Sequence, residues 1–226
     1  MNKIPIYFYH QTFGDLLPHR DWLHPREIHF LKGLKFEKRR HDWLLGRWTA
    51  KDCVISFFEK KGIALSPSSF AILKKESGAP ELFFEKSELN CQVSLSHRAG
   101  HAIAAVAPAG VAIGCDLEKV EPRSEAFLSD YFLERELAFL SPISPGEKDV
   151  FSNLIWSVKE AVMKATGQGM KLHPRKIEVG EIENGRGWQA LSVDTSSVRF
   201  QGLWKVEGEM IFVIVSNRQI SVEQDF

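Results

Sequence analysis

The chain has 226 residues, 44% hydrophobic and 26% charged, and its 29 Lys and Arg residues balance 29 Asp and Glu residues. The length allows one large domain or two small ones, and the composition is ordinary for a globular protein. The absence of net charge argues against overall electrostatic attraction to nucleic acid or a membrane, so an anionic partner has to be bound by a local group of cations.

Neither the cysteines nor the apolar segments point to a secreted or membrane protein. Cys53, Cys91 and Cys115 are too scattered for a disulfide framework or a metal-binding spacing, which fits free thiols in a reducing cytosol. The N-terminal segment lacks a sustained apolar core followed by a cleavage site. The longest apolar run, Ala102 to Cys115, is interrupted by Pro108 and is shorter than the roughly 20 residues of a spanning helix. We therefore expect a cytoplasmic protein.

The pattern of the first half predicts two helices and several strands. Pro25 to Lys32 fits a short helix, and Glu37 to about Lys60 has the apolar spacing of a long helix that Gly62 ends. The predicted strands are apolar runs bounded by Ser, Gly and Pro residues: Ile4 to Tyr9, Phe70 to Leu73, Leu82 to Phe84, Cys91 to Leu95 and Ala102 to Ala107. A long helix is thus expected against a sheet.

The second half has a similar composition of elements. Val111 to Val120 alternates like a strand, and Ala126 to Leu140 has mixed helical character. Ser144 to Glu147 is a helix start with a capping serine, a proline and an acid, and this helix is expected to run through Lys164 to a glycine stop. The remaining predicted strands are Ile177 to Val179, Trp188 to Val193, Val198 to Val206 and Met210 to Val215. We predict an α+β fold of two similar lobes, residues 1–108 and 109–226, with a ligand cleft between them.

Three carboxylates and a lysine form the strongest candidate site. Asp116 and Glu118 are two residues apart on a predicted strand, so they share a face and suit a hard divalent cation. Glu160 and Lys164 are one helical turn apart, at the edge of the core-facing stripe. Each pair alone has an ordinary alternative: solvated acids at a strand end, or a helix-surface pair worth about 0.3–0.5 kcal/mol. Together the acids fit a magnesium site.

Two further groups of side chains could meet a phosphate. Ser96 and His97 lie near a predicted strand end, where a turn with exposed polar groups is the alternative. A Ser/His hydrolase is disfavoured because no G-x-S-x-G segment surrounds Ser96. On the first long helix, Arg40, Arg47 and Lys51 fall on one broad side, which suits either an anion clamp or a solvated face. The sequence contains no P-loop, G-x-G-x-x-G or His-based zinc motif.

Taken in order, several motifs resemble the 4'-phosphopantetheinyl transferase family, in its longer, two-lobed, surfactin-synthetase-activating type. The set spans roughly Arg39 to Met170 and consists of Gly78–Pro80, Val93–His97, Ile113–Glu118, Phe132 with Glu136, Trp156–Lys164 and Gly167–Gly169. The chain departs from the family pattern at Ala79, where Lys or Arg is common, and Lys74, Lys75 or Arg98 are candidates to replace that contact.

The resemblance implies an enzyme that binds coenzyme A between two lobes and acts as a monomer. Such enzymes transfer the phosphopantetheine arm of coenzyme A to a serine of an apo acyl, peptidyl or polyketide carrier protein and release adenosine 3',5'-bisphosphate. By the same resemblance, Asp116, Glu118 and Glu160 would hold magnesium against the pyrophosphate. Lys164 would neutralise charge on the transferred phosphoryl group, and Glu160 would accept the proton of the carrier serine, directly or through a metal-bound water.

The resemblance also implies where the two partners bind. Ser96 and His97 would contact the coenzyme's phosphates, Arg40 and Arg47 its 3'-phosphate end, and the region around Phe132 would meet the carrier. The full set of expected coenzyme contacts is Arg40, Arg47, Ser96, His97, Asp116 and Lys164. No nucleic acid or membrane partner is expected.

Two other functions compete with the transferase. A carrier-binding module without catalysis would fit the loss of a basic residue at Ala79. A magnesium-dependent pyrophosphatase acting on coenzyme A or nucleotides would use the same acidic residues.

Overall fold

The computed structural model describes residues 3–84 and 89–224, which form five α-helices and eleven β-strands. In chain order the elements are β1 (Ile4–Thr12), α1 (Pro25–Lys32), α2 (Glu37–Glu59), β2 (Phe70–Lys74), β3 (Pro80–Phe84), β4 (Cys91–Arg98), β5 (His101–Pro108), β6 (Ile113–Lys119), α3 (Glu125–Tyr131), α4 (Glu134–Leu140), α5 (Pro145–Ala165), β7 (Ile177–Ile182), β8 (Gln189–Thr195), β9 (Arg199–Glu207), β10 (Met210–Ser216) and β11 (Ile220–Gln224). Two compact units result. The first joins the residues up to Val111 with the strand that begins at Ile220, and the second runs from Ala112 to Gln219.

The first unit is a long helix packed on a four-stranded sheet. The strand order is β11-β1-β5-β4, with β11 parallel to β1 and the other pairs antiparallel. The strands β2 and β3 form a separate hairpin. Helix α2 packs on the sheet because its apolar side chains recur at helical spacing: Ala50, Cys53, Val54 and Phe57 are buried in one cluster with Tyr7 of β1.

The second unit is a long helix packed on a five-stranded antiparallel sheet of order β6-β10-β9-β8-β7. Helix α5 starts as predicted at a capping box, in which the backbone N–H of Ser144 donates to Glu147 Oε2 at 3.3 Å. The helix packs on β6 and β10. A Cβ atom at Gly114 of β6 would lie only 1.9 Å from the carbonyl oxygen of Ala161. Glycine therefore permits the close approach of β6 to the backbone of α5.

Each unit contains the same kind of buried ion pair. In the first, Lys51 Nζ of α2 lies 2.9 Å from Glu27 Oε2 of α1, and in the second, Lys159 Nζ of α5 lies 2.8 Å from Glu136 Oε2 of α4. Each glutamate accepts two backbone N–H groups, and each lysine donates to two backbone carbonyls. These partners satisfy charges that would otherwise be costly to bury. The two lobes therefore share the same buried lysine–glutamate pair between a long helix and the short helix before it.

The predicted α+β fold of two similar lobes is confirmed, with differences in detail. The segment Ala126 to Leu140 forms two short helices, because Phe132 and Leu133 adopt extended backbone between them. The sequence does not predict β11, which joins the sheet of the first unit. The division at 108/109 stays a prediction. None of the helices in the described ranges combines the length and apolarity needed to cross a bilayer.

Candidate active site

Three carboxylates of the second unit converge where β6 faces α5. Asp116 and Glu118 lie on β6, opposite Val213 and Ile211 of β10, and Glu160 lies on α5. One oxygen from each of the three carboxylates lies within 4.8 Å of the others. The side chains of the two strand acids are only 1% and 10% exposed. The alternation of β6 and the position of Glu160 thus bring together the three acids that the sequence suggests.

Asp116 is held by two side chains of α5. Lys164 Nζ donates to Asp116 Oδ1 at 2.6 Å and to the carbonyl oxygen of Cys115 at 3.1 Å, and Ser157 Oγ donates to Asp116 Oδ2 at 2.8 Å. Burial alone would lower the pKa of Lys164, but the negative charges of Asp116 and Glu160 outweigh it and raise the pKa. Lys164 therefore carries a fixed positive charge at the centre of the site.

Glu160 is the acid with the most perturbed ionisation. Burial and then the negative charges of Asp116 and Glu118 raise the pKa of Glu160 to about 8, although Lys164 opposes the change. A third negative charge is thus unfavourable here until another cation offsets it. The donor set consists of carboxylate oxygens on a strand and a helix, which fits a hard divalent cation such as Mg²⁺.

Sequence reasoning assigned no role to three residues around this cluster: Ser157, Arg123 and Asn153. Ser157 precedes Glu160 by three positions on α5, so helical spacing could have revealed it. Arg123 Nη2 lies 3.1 Å from Glu118 Oε2, and Arg123 Nε donates to Asn153 Oδ1 at 2.7 Å. Arg123 lies beyond the end of β6 and outside any regular pattern, so no sequence signal points to it.

The predicted phosphate-binding residues Ser96 and His97 lie on β4 of the first unit. Ser96 is buried and pairs in register with Ile103, whereas His97 is exposed. The ring of His97 comes within 3.6 Å of the Cβ position at Gly46 of α2. The side chain of His97 therefore lies where α2 and β4 approach each other, whereas Ser96, its neighbour on the strand, points to the opposite face of the sheet.

The predicted basic side of α2 is only partly available to a ligand. Arg40 is exposed in the first turn, whereas Arg47 is only 8% exposed and has its guanidinium 5.1 Å from the centre of the Trp43 ring. Burial lowers the pKa of Arg47 to about 10. Lys51, predicted on the same side, belongs instead to the interior, where Glu27 offsets its charge. Of the three basic residues predicted for the clamp, Lys51 is therefore excluded, and phosphate binding by Arg40 and Arg47 stays a prediction.

Phe132 and Glu136 turn out to be interior residues. Phe132 is fully buried with Lys159 Nζ 5.7 Å from its ring centre, and Glu136 is the buried partner of Lys159. Phe132 itself therefore cannot touch a carrier protein. Carrier contact by neighbouring residues stays a prediction.

Comparisons with known proteins relate part of the chain to 4'-phosphopantetheinyl transferases. Residues 112–213 match the family model described as the 4'-phosphopantetheinyl transferase superfamily. The 4'-phosphopantetheinyl transferase HetI of Nostoc sp. is 29% identical over 139 residues, and the match covers 58% of this chain and 58% of that relative. A crystal structure of a holo-(acyl-carrier-protein) synthase from Bacillus anthracis, in complex with CoA (3',5'-ADP), is similar at 22% identity with a TM-score of 0.38, over 46% of this chain and 93% of that one. The segment that matches the 4'-phosphopantetheinyl transferase superfamily thus contains the whole acidic cluster together with Lys164.

Proposed function

We propose that this chain is a 4'-phosphopantetheinyl transferase of the longer, two-lobed type, which modifies a serine of an apo carrier protein with the 4'-phosphopantetheine arm of coenzyme A. The observation that carries the proposal is the contact between Lys164 and Asp116 within a cluster of three carboxylates. This cluster lies in the segment that matches the superfamily. A monomer acting in the cytoplasm is part of the same proposal.

The proposed reaction exchanges one phosphorus–oxygen bond for another. The carrier serine oxygen forms a bond to the phosphorus that bears the pantetheine group, and the bond from that phosphorus to the bridging oxygen of the pyrophosphate breaks. The electron pair of the broken bond leaves with adenosine 3',5'-bisphosphate, and the serine proton passes to Glu160. Such a transfer depends on positioning and on offsetting negative charge more than on covalent chemistry.

The residues of the second unit supply those two requirements. Lys164 carries a positive charge, fixed by Asp116 and the Cys115 carbonyl, that can neutralise the transferred phosphoryl group. Asp116, Glu118 and Glu160 would hold Mg²⁺, which supplies further positive charge to the pyrophosphate when it is bound. Ser157 fixes the second oxygen of Asp116, so the carboxylate keeps one orientation.

The coenzyme contacts that we propose in the first unit are Ser96, His97, Arg40 and Arg47. Arg47 supports this role because its guanidinium lies beside Trp43 and its Nε atom has no hydrogen-bond partner among the described residues. Arg40 supports it because its side chain is exposed in the first turn of α2. Lys51 is left out of the set since Glu27 offsets its charge in the interior.

Release of adenosine 3',5'-bisphosphate from coenzyme A tests this function against its alternatives. We expect release that needs Mg²⁺ and an apo carrier, and that stops when the acceptor serine of the carrier is replaced by alanine. Asp116→Ala should lower the rate on the order of 10²-fold or more, because it removes a metal ligand and the partner of Lys164. Release without any carrier would instead mark a pyrophosphatase. Carrier binding without release would mark a non-catalytic binding module.

A further inference from the structure

We propose that Arg123 is a positioning residue that holds Glu118 in a single-oxygen binding mode and so makes the acidic cluster select Mg²⁺ over Ca²⁺. The inference rests on the proposed function only in its premise that Asp116, Glu118 and Glu160 bind a divalent cation.

The guanidinium of Arg123 is fixed by three different elements of the second unit. Its Nη2 atom lies 3.1 Å from Glu118 Oε2 of β6, and its Nε atom donates to Asn153 Oδ1 of α5 at 2.7 Å. Its Cζ atom lies 4.9 Å from the ring centre of Phe127 of α3. The side chain is only 14% exposed. The contact with Glu118 Oε2 is an ion pair without hydrogen-bond geometry, whereas Asn153 and Phe127 hold the planar guanidinium, which cannot follow a moving carboxylate without losing those two contacts.

Asn153, which accepts a hydrogen bond from Arg123, is itself held in a single orientation. The amide of Asn153 is fully buried, and its Nδ2 atom donates to the carbonyl oxygens of Glu121 at 2.6 Å and Asp149 at 2.7 Å. Both donor positions of the amide are thus used, which orients Oδ1 towards Arg123. Contacts within the protein therefore hold the Arg123 side chain in position.

The ion pair with Arg123 restricts how Glu118 can bind a cation. A cation bound through both oxygens of Glu118 would have to displace the guanidinium from Oε2. Ca²⁺ takes six to eight oxygen ligands and commonly binds carboxylates through both oxygens, whereas Mg²⁺ requires near-octahedral geometry and keeps several waters. The arrangement therefore penalises Ca²⁺ more than Mg²⁺.

Removing Arg123 should have two separate effects. The cluster would become more negative, which strengthens binding of any divalent cation, and Glu118 would be released to bind through both oxygens. Ca²⁺ gains from both effects and Mg²⁺ mainly from the first. A purely structural role for Arg123 would change the stability of the protein but leave the ratio of the two affinities unchanged.

The test is calorimetric titration of the full chain with MgCl₂ and separately with CaCl₂, without coenzyme A or carrier. The variants are Arg123→Met, which removes the charge, and Arg123→Lys, which keeps a charge but cannot bridge Asn153 and Glu118 at once. Arg135→Met is the matched control, because Arg135 forms an exposed ion pair with Glu178 in the same unit. We expect the wild type to prefer Mg²⁺, and the preference to fall about tenfold or more in Arg123→Met, less in Arg123→Lys and not at all in Arg135→Met.

Three results would overturn the assignment. They are a wild type that binds neither cation, a wild type that does not prefer Mg²⁺, and a wild-type ratio of affinities in folded Arg123 variants. If Arg123→Met does not fold, Arg123→Lys decides. The transferase assay is a separate measurement: selective Mg²⁺ binding without transfer would refute the proposed function and leave the role of Arg123 standing.

Discussion

Gly114→Ala should damage the fold and the site together. The added Cβ atom would lie 1.9 Å from the carbonyl oxygen of Ala161 and 2.8 Å from the backbone nitrogen of Ala165. Both atoms belong to the backbone of α5, so no side-chain rotation relieves the contact. To reach an ordinary separation of 3.4 Å, the carbonyl oxygen of Ala161 must move by about 1.5 Å.

The size of this displacement sets the expected effect. Overpacking of a core typically costs about 1–3 kcal/mol, and a clash with rigid helix backbone belongs at or above the upper end. Glu160 and Lys164 flank Ala161 and Ala165 on α5, so the same shift moves them away from Asp116. A displacement of about 1 Å in a catalytic arrangement can reduce the rate about 10²-fold.

Urea unfolding and turnover measured on the same preparations test this reasoning. The matched control is Gly146→Ala, because a Cβ atom at Gly146 in the first turn of α5 meets nothing within 4 Å. That control should keep its turnover and be neutral or more stable by about 0.4–1 kcal/mol. A Gly114→Ala protein with the stability and turnover of the wild type would refute the proposed packing of β6 on α5.

Three further predictions concern buried titratable groups. Lys159→Met should lower the free energy of unfolding by about 3–5 kcal/mol, because it leaves Glu136 buried without its partner, and adding Glu136→Gln should restore part of the loss. Urea unfolding of both variants measures these changes. A Lys159→Met protein as stable as the wild type would contradict the prediction. Because the folded-state pKa of Glu160, about 8, exceeds its ordinary value of 4.5, the unfolded chain releases a proton that the folded one keeps, so metal-free stability should fall as pH rises from about 4.5 to 8. Glu160→Gln should flatten that decline in EDTA, and equal slopes would argue against a buried, crowded carboxyl. Burial raises the pKa of Cys91 to about 12, so this thiol should resist alkylation of the native protein at pH 8, and rapid labelling would contradict its position.

Local patterns predicted the elements that form the site. The start of α5 follows from Ser144, Pro145 and Glu147, since a capping box involves only residues close in sequence. Asp116 and Glu118 share a face because side chains alternate along a strand. These rules act within one element, and for that reason they succeed without tertiary information.

Contacts between residues that are far apart in the chain could not be predicted from the sequence. Helical spacing suggested that Lys164 pairs with Glu160, but its closest carboxylate is Asp116 on β6. The burial of Lys51 depends on Glu27, an acid 24 positions earlier that only folding brings to it. No helical or strand spacing in the sequence relates Arg123 to the residues that it contacts. In each case the partner of the basic side chain lies on another helix or strand. The charge of that partner determines whether the basic side chain is exposed to solvent, buried in the core or directed into the site.

Intact-mass spectrometry of apo carrier proteins incubated with this chain, coenzyme A and Mg²⁺ tests the central claim most directly. Lys164→Ala and Lys148→Ala should be compared, because both lysines lie on α5 and Lys148 forms only a peripheral pair with Glu125. We predict a gain of one phosphopantetheine with the wild type and Lys148→Ala, and an initial rate lower by about 10²-fold or more with Lys164→Ala. No gain on any carrier in the presence of bound coenzyme A, or equal rates for the two lysine variants, would contradict the account.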